Sequence, residues 1–305
     1  MSSAKIMRNK SLTRKNLFIF SSNHKFSFQC LHKKSSIALH RTFFSAIVIC
    51  LLPGSSAHAV ELKARYEVSV GALSVGQATL TSQIENKQYH VQATMTFAGL
   101  AGLITNLKGA AAAVGTHTNG VIKPANFFAK AKSGTFERII RMQIQQGTAY
   151  YIDISPPLAV NPGNSSIEAI HRKAIVDPLS AMLMPVATGR DILHKDNCNR
   201  TLPILDGGAR MTISLSYKET KEVSTKTYKG QVLVCSARYT HIAGFQANEA
   251  STRYMQNNKN MTVWLAPIEG TRFLAPLRAH IQTAMGTATF EAMRWNISTR
   301  IAQAH

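Results

Sequence analysis

Four residues in one short polar stretch, Asp191, His194, Asp196 and Cys198, are of the types from which proton relays and metal sites are built. Imidazole and carboxylate side chains bind divalent metals and carry protons near neutral pH. Their spacing matches no recurrent zinc pattern, however, and Cys198 has no C-x-x-C companion. The competing reading is a solvated loop that delivers Cys198 to a disulfide. A second set, Arg238, Arg272, Arg278 and Arg294, would line an anion pocket, since guanidinium forks fit phosphate and carboxylate. On strands with a two-residue period the same four would instead face water. His241, three residues before Gly244, reads as a strand-end residue rather than a base. The chain contains no G-x-S-x-G, H-E-x-x-H or G-x-x-x-x-G-K-[ST]. No catalytic residue, metal or cofactor is therefore assigned.

Cys198 and Cys235 are the two cysteines that follow residue 59. In an oxidising compartment an even pair reads as one disulfide. A loop of this length stabilises a fold by about 4 kcal/mol in the chain-entropy model.

The elements that would position these residues are mostly strands. Tyr66, Val68 and Val70 alternate with Glu67 and Ser69, and Tyr89, Val91, Ala93, Met95 and Phe97 keep the same period. Ile140, Met142 and Ile144 alternate with Arg141, Gln143 and Gln145 before a Gln146-Gly147 turn. Asp206-Gly207-Gly208 is a strong turn signal ahead of Met211, Ile213, Leu215 and Tyr217. The unbroken run Val232-Leu233-Val234-Cys235 reads as a more deeply buried strand. One helix start stands out: Asp177 as a cap, with Pro178 at the first helical position and Pro185 limiting the far end. Residues 98–115, rich in Gly, Ala and Leu, fit a short helix, a flap or a close-packed strand pair. Residues 156–166, with two prolines and Asn161-Pro162-Gly163, form the clearest loop, read as a crossover within one sheet system. The expected fold class is all-β: a curved antiparallel sheet, or a spiral or partly open β-barrel, with one short helix and a single domain over residues 60–305.

Residues 1–59 carry nine Lys/Arg and no acid. An apolar run from Phe43 to Leu52 ends at Pro53-Gly54, and Ala57-His58-Ala59 places small residues before Val60. That order is a secretory signal peptide with a long basic arm, cut between Ala59 and Val60. A mitochondrial transit peptide is the alternative that the basic, Ser-rich and acid-free composition permits. The run is too short for a membrane span, which needs about 20 apolar residues. Cys50 lies within the run, behind Ile49, which argues against lipid attachment. A periplasmic location follows, with no membrane anchor after cleavage. The whole chain has a formal charge of +20; removal of the leader leaves +11 on residues 60–305. An exported protein of that charge is attracted to anionic lipids or envelope polymers, whereas nothing marks it as a nucleic-acid binder. Oligomeric state is not legible.

Pro203-Ile204-Leu205-Asp206-Gly207-Gly208-Ala209-Arg210, then Cys235-Ser236-Ala237-Arg238-Tyr239, then Trp264-Leu265 give an ordered set of motifs. With Tyr66-Glu67-Val68 and Asp177-Pro178-Leu179-Ser180, they resemble an exported bacterial family catalogued as domain of unknown function 3108. The resemblance implies an envelope-associated protein with a curved antiparallel β architecture, and it transfers no catalytic residues.

Three functions follow in order of expectation. The first is a non-enzymatic envelope protein whose curved sheet binds a hydrophobic or amphiphilic ligand. The second is a surface module that supports envelope integrity. The third is a hydrolase or transferase with a scattered site around Asp191, His194 and Asp196.

Overall fold

Alternating sequences of this kind pair into a sheet with one buried face, and the computed structural model shows how far that goes. The structure describes residues 58–97, 106–159, 166–244 and 249–301. The first half is a meander: β1 (His58–Val70), β2 (Leu73–Ile84), β3 (Gln88–Phe97), β4 (Leu107–Thr118), β5 (Val121–Ser133), β6 (Phe136–Gln145) and β7 (Thr148–Ser155). After a long connection come the two-residue β8 (Met184–Pro185), then β9 (Arg200–Leu205), β10 (Ala209–Ser224) and β11 (Lys229–Gly244). The last strands are β12 (Met261–Ile268), β13 (Phe273–Thr283) and β14 (Gly286–Ile301). All pair antiparallel in one sheet, in the order 7-6-5-4-3-2-1-14-13-12-11-10-9, with β8 attached to β13. The first and last long strands are thus neighbours at the centre, and β7 and β9 are the two edges.

The sheet is not closed, but its ends curl towards each other. A Cβ built on Gly207, in the β9–β10 turn, would lie 2.6 Å from Ile140 Cγ2 on β6, and this glycine has φ +103°. Only a residue without a side chain fits both the contact and the backbone. The connection between β7 and β9 runs along the seam. Ile175 N–H donates to Gly147 O, Val176 N–H to Pro203 O, and Leu205 N–H to Val176 O. Val176 forms an isolated parallel bridge with Ile204. In this way the crossover expected at residues 156–166 carries the chain from one edge of the sheet to the other; residues 160–165 lie outside the described set.

The inner face holds the main core, including Leu62, Leu80, Val91, Phe127, Met142 and Leu205, joined by Ile175, Leu179 and Leu183 from the connection. Each such side chain stabilises the fold by roughly 1.5–3 kcal/mol through burial. Leu233 and Cys235 point the other way, into a second cluster with Met184, Val186, Cys198 and Leu265. With Val232 and Val234 in the main core, β11 is buried on both faces, which is why its sequence is an unbroken apolar run.

The helix expected at Asp177 is corrected to a single 3₁₀ turn, Ser180–Met182. Its cap forms as expected: Asp177 Oδ1 accepts from the N–H groups of Leu179 and Ser180. The turn stops because Leu183 is extended and Met184–Pro185 pairs with β13. The α-helix among the described residues is instead α1, Ala250–Asn257. Of the ambiguous stretch 98–115, residues from Leu107 onward form β4, and 98–105 lie outside the described residues. Residues 1–57 also lie outside them, which takes in the expected leader except its last two residues, His58 and Ala59, at the start of β1. Among the described residues, no helix is long and apolar enough to cross a membrane.

Candidate functional site

The residues singled out from the sequence do not converge. Asp191 Oδ1 accepts from Leu193 N–H, and its carbonyl accepts from Asn197 Nδ2, so it shapes a loop. His194 Nδ1 lies 3.5 Å from Asp196 Oδ2, both side chains being nearly half exposed. No cluster of three potential metal ligands occurs among the described residues. This loop ends at Cys198, which is joined to Cys235 in a fully buried disulfide. Three of the four arginines take separate partners. Arg238 donates to Asn258 O, and Arg272 to the carbonyls of Val186, Ala187 and Arg190. Arg278 pairs with Glu291 and lies over Trp264, while Arg294 is exposed on β14. His241 Nδ1 meets the Tyr239 hydroxyl at 3.2 Å, and burial lowers its pKa.

The structure assembles a different constellation on the inner face. Tyr89 from β3 and Ser180 from the seam connection are hydrogen bonded at 2.6 Å, and Ser180 Oγ in turn bonds Asp177 Oδ2. Ser180 gives its one proton to Asp177, so the Tyr89 hydroxyl donates to Ser180. Asp177 and Ser180 are fully buried, and burial raises the Asp177 carboxyl above the usual aspartate range despite the bonds it accepts. Gly115, opposite Tyr89 on β4, makes room: a Cβ there would come within 2.5 Å of the Tyr89 hydroxyl oxygen. The network fixes the connection against the inner wall, and it is too deeply buried to meet a substrate.

Beside this anchor lies a space that none of the described residues fills. One inward row of the sheet reads Leu80, Ala93, Ala111, Ala129, Ile140 and Ile154 across β2 to β7. The next row towards the β3–β4 hairpin end reads Ala78, Met95, Gly109, Ala131 and Arg138. Three alanines in one row and a Gly-Ala pair in the next leave the wall low where the neighbouring residues are large. Pro178 and Leu179 form the opposite side. The resulting cleft has a volume of about 270 Å³ and an almost wholly apolar lining. It is open at one side, and its size is just below the usual range for small-molecule sites.

Arg138 is the exception in that lining. Its guanidinium carbon lies 4.9 Å from the centre of the Phe136 ring, and its Nε is buried without a hydrogen-bond partner among the described residues. Lys130, at the same border, is paired with Glu137 at 2.9 Å. A larger cleft of about 450 Å³ at the other end of the sheet is lined by Glu85, Asn119, Thr188 and Arg272. Its polar groups answer one another: His117 Nε2 meets Glu85 O, Thr188 N–H donates to Asn119 Oδ1, and Arg272 is held by carbonyls. The apolar cleft is therefore the stronger candidate.

Sequence reasoning passed over Arg138 because it stands on a strand among other charged residues. The signal was its phase: it shares parity with Ile140, Met142 and Ile144, whose side chains were expected to face the core.

No curated protein matches the chain. Among solved structures, a β-barrel-like protein of domain of unknown function DUF1849 from Brucella abortus is similar over 80% of this chain and 98% of its own, with 9% identity and a TM-score of 0.46. The family described as "Protein of unknown function (DUF3108)" matches residues 65–293, from within β1 to within β14. The chain belongs to that family.

Proposed function

We propose that this is a non-enzymatic protein of the cell envelope that holds a hydrophobic or amphiphilic ligand against the inner face of its sheet. The observation that carries this reading is the apolar cleft between the alanine row of β3 to β5 and the anchored Pro178-Leu179 segment. The leader-like composition of residues 1–59 supports an exported location. At about 30 Å³ per methylene, the volume a liquid water takes, the cleft holds roughly nine methylenes. Burying them is worth up to about 7 kcal/mol, from which the costs of association are subtracted. The affinity is then micromolar or weaker, as suits a protein that takes up and releases its ligand.

Native mass spectrometry of the protein extracted from its host envelope tests the reading. Wild type is expected to carry a small-molecule mass that denaturation releases, and Ala129→Trp, which fills the cleft, to lack it. A ligand-free wild type, or an unchanged adduct on Ala129→Trp, would remove the cleft from consideration.

A further inference from the structure

Arg138 is what an apolar cleft for a plain hydrocarbon does not need. A guanidinium is charged at any physiological pH and presents its donors as a planar fork. Here Arg138 lines the cleft, the ring of Phe136 lies against its guanidinium, and the buried Nε has no partner among the described residues. A buried donor left unpaired is costly unless something else meets it. Among the described residues the lining contains two cations, Arg138 and Lys130, and no acid. Glu137, the acid adjacent in sequence, is taken by Lys130. The charge that Arg138 brings to the lining therefore favours an anion, and this residue borders a space sized for one hydrocarbon chain.

We infer that the ligand is a single-chain amphiphile with an anionic head, a carboxylate or a phosphate, and that Arg138 receives that head while the alanine row receives the chain. This rests on the reading of the cleft given above. It adds a recognition residue and a ligand class, since two chains exceed the volume and a neutral head, though it can accept from Nε, leaves the guanidinium charge uncompensated.

Isothermal calorimetry on the purified protein tests it with three probes of equal chain length: dodecanoate, dodecyl phosphate and uncharged dodecyl maltoside. Wild type is expected to bind at least one anionic probe about ten- to a hundredfold tighter than the maltoside, the range of a charged hydrogen bond. Arg138→Met keeps the apolar stem, so it is expected to bind the maltoside as wild type does and to lose the anionic preference. Arg138→Lys is expected to recover part of that preference. If wild type binds all three probes equally, or Arg138→Met keeps the preference, the assignment of Arg138 is overturned and the cleft reading survives. Should no probe bind wild type, or should Ala129→Trp bind all three unchanged, the cleft reading fails and the assignment with it.

Discussion

Replacing both Cys198 and Cys235 by alanine removes a link between residues 37 apart in sequence. In the chain-entropy model, closing a loop of that size costs the unfolded chain about 4 kcal/mol of freedom, which the variant regains. The loop contains β9, β10 and the first part of β11. Hairpin pairing between β10 and β11 that persists in the unfolded chain lowers the figure, and the small voids left among Met184, Leu215 and Leu265 raise it. A fold of this size loses roughly 2–4 °C in Tm per kcal/mol, so the double variant is expected to melt about 8–15 °C below the oxidised wild type. Its urea m-value is expected to rise, because the uncrosslinked chain exposes more surface on unfolding. Calorimetry and urea titration followed by circular dichroism read both quantities. Equal Tm values within two degrees or so, or two titratable thiols in the wild type denatured without reductant, would refute the reasoning.

Two further substitutions probe the anchor beside the cleft. Asp177 has its pKa raised by burial, so the folded protein holds that proton more tightly than the unfolded chain does. Stability from this group is greatest below the ordinary aspartate pKa of about 3.9 and falls as pH rises through the raised value. Asp177→Asn is expected to flatten that fall in urea titrations between pH 4 and 8, leaving a smaller slope from Asp206, which is shifted the same way by burial; identical slopes in the two proteins would contradict the assignment. Gly115→Ala places a methyl against the Tyr89 hydroxyl and the Lys123 carbonyl, and is expected to destabilise by about 1–3 kcal/mol as an overpacked core does. An unchanged denaturation midpoint would show that Tyr89 does not depend on the gap.

How far the sequence disclosed this depended on the period of each element. The strands around Tyr89, Ile140 and Met211 were legible because alternation over five or more residues admits one answer in a half-buried sheet. The disulfide was legible from the count of cysteines. Asp177-Pro178 announced a cap, and the cap is there, but a cap signal cannot say how many turns follow; pairing of Met184–Pro185 with β13 ended it after one. The helix Ala250–Asn257 escaped notice because it has no capping side chain and just one buried residue, Thr252. The cleft was illegible for a different reason. Ala93, Ala111 and Ala129 lie 18 residues apart, and only the register of three strands sets them side by side.

Isotope-filtered NOE spectroscopy, with unlabelled dodecanoate added to protein labelled at its Ala and Leu methyl groups, tests the central claim most directly. The account predicts contacts from the alkyl protons to Ala93, Ala111, Ala129 and Leu179. Binding accompanied by contacts only to methyl groups remote from this cleft would contradict it.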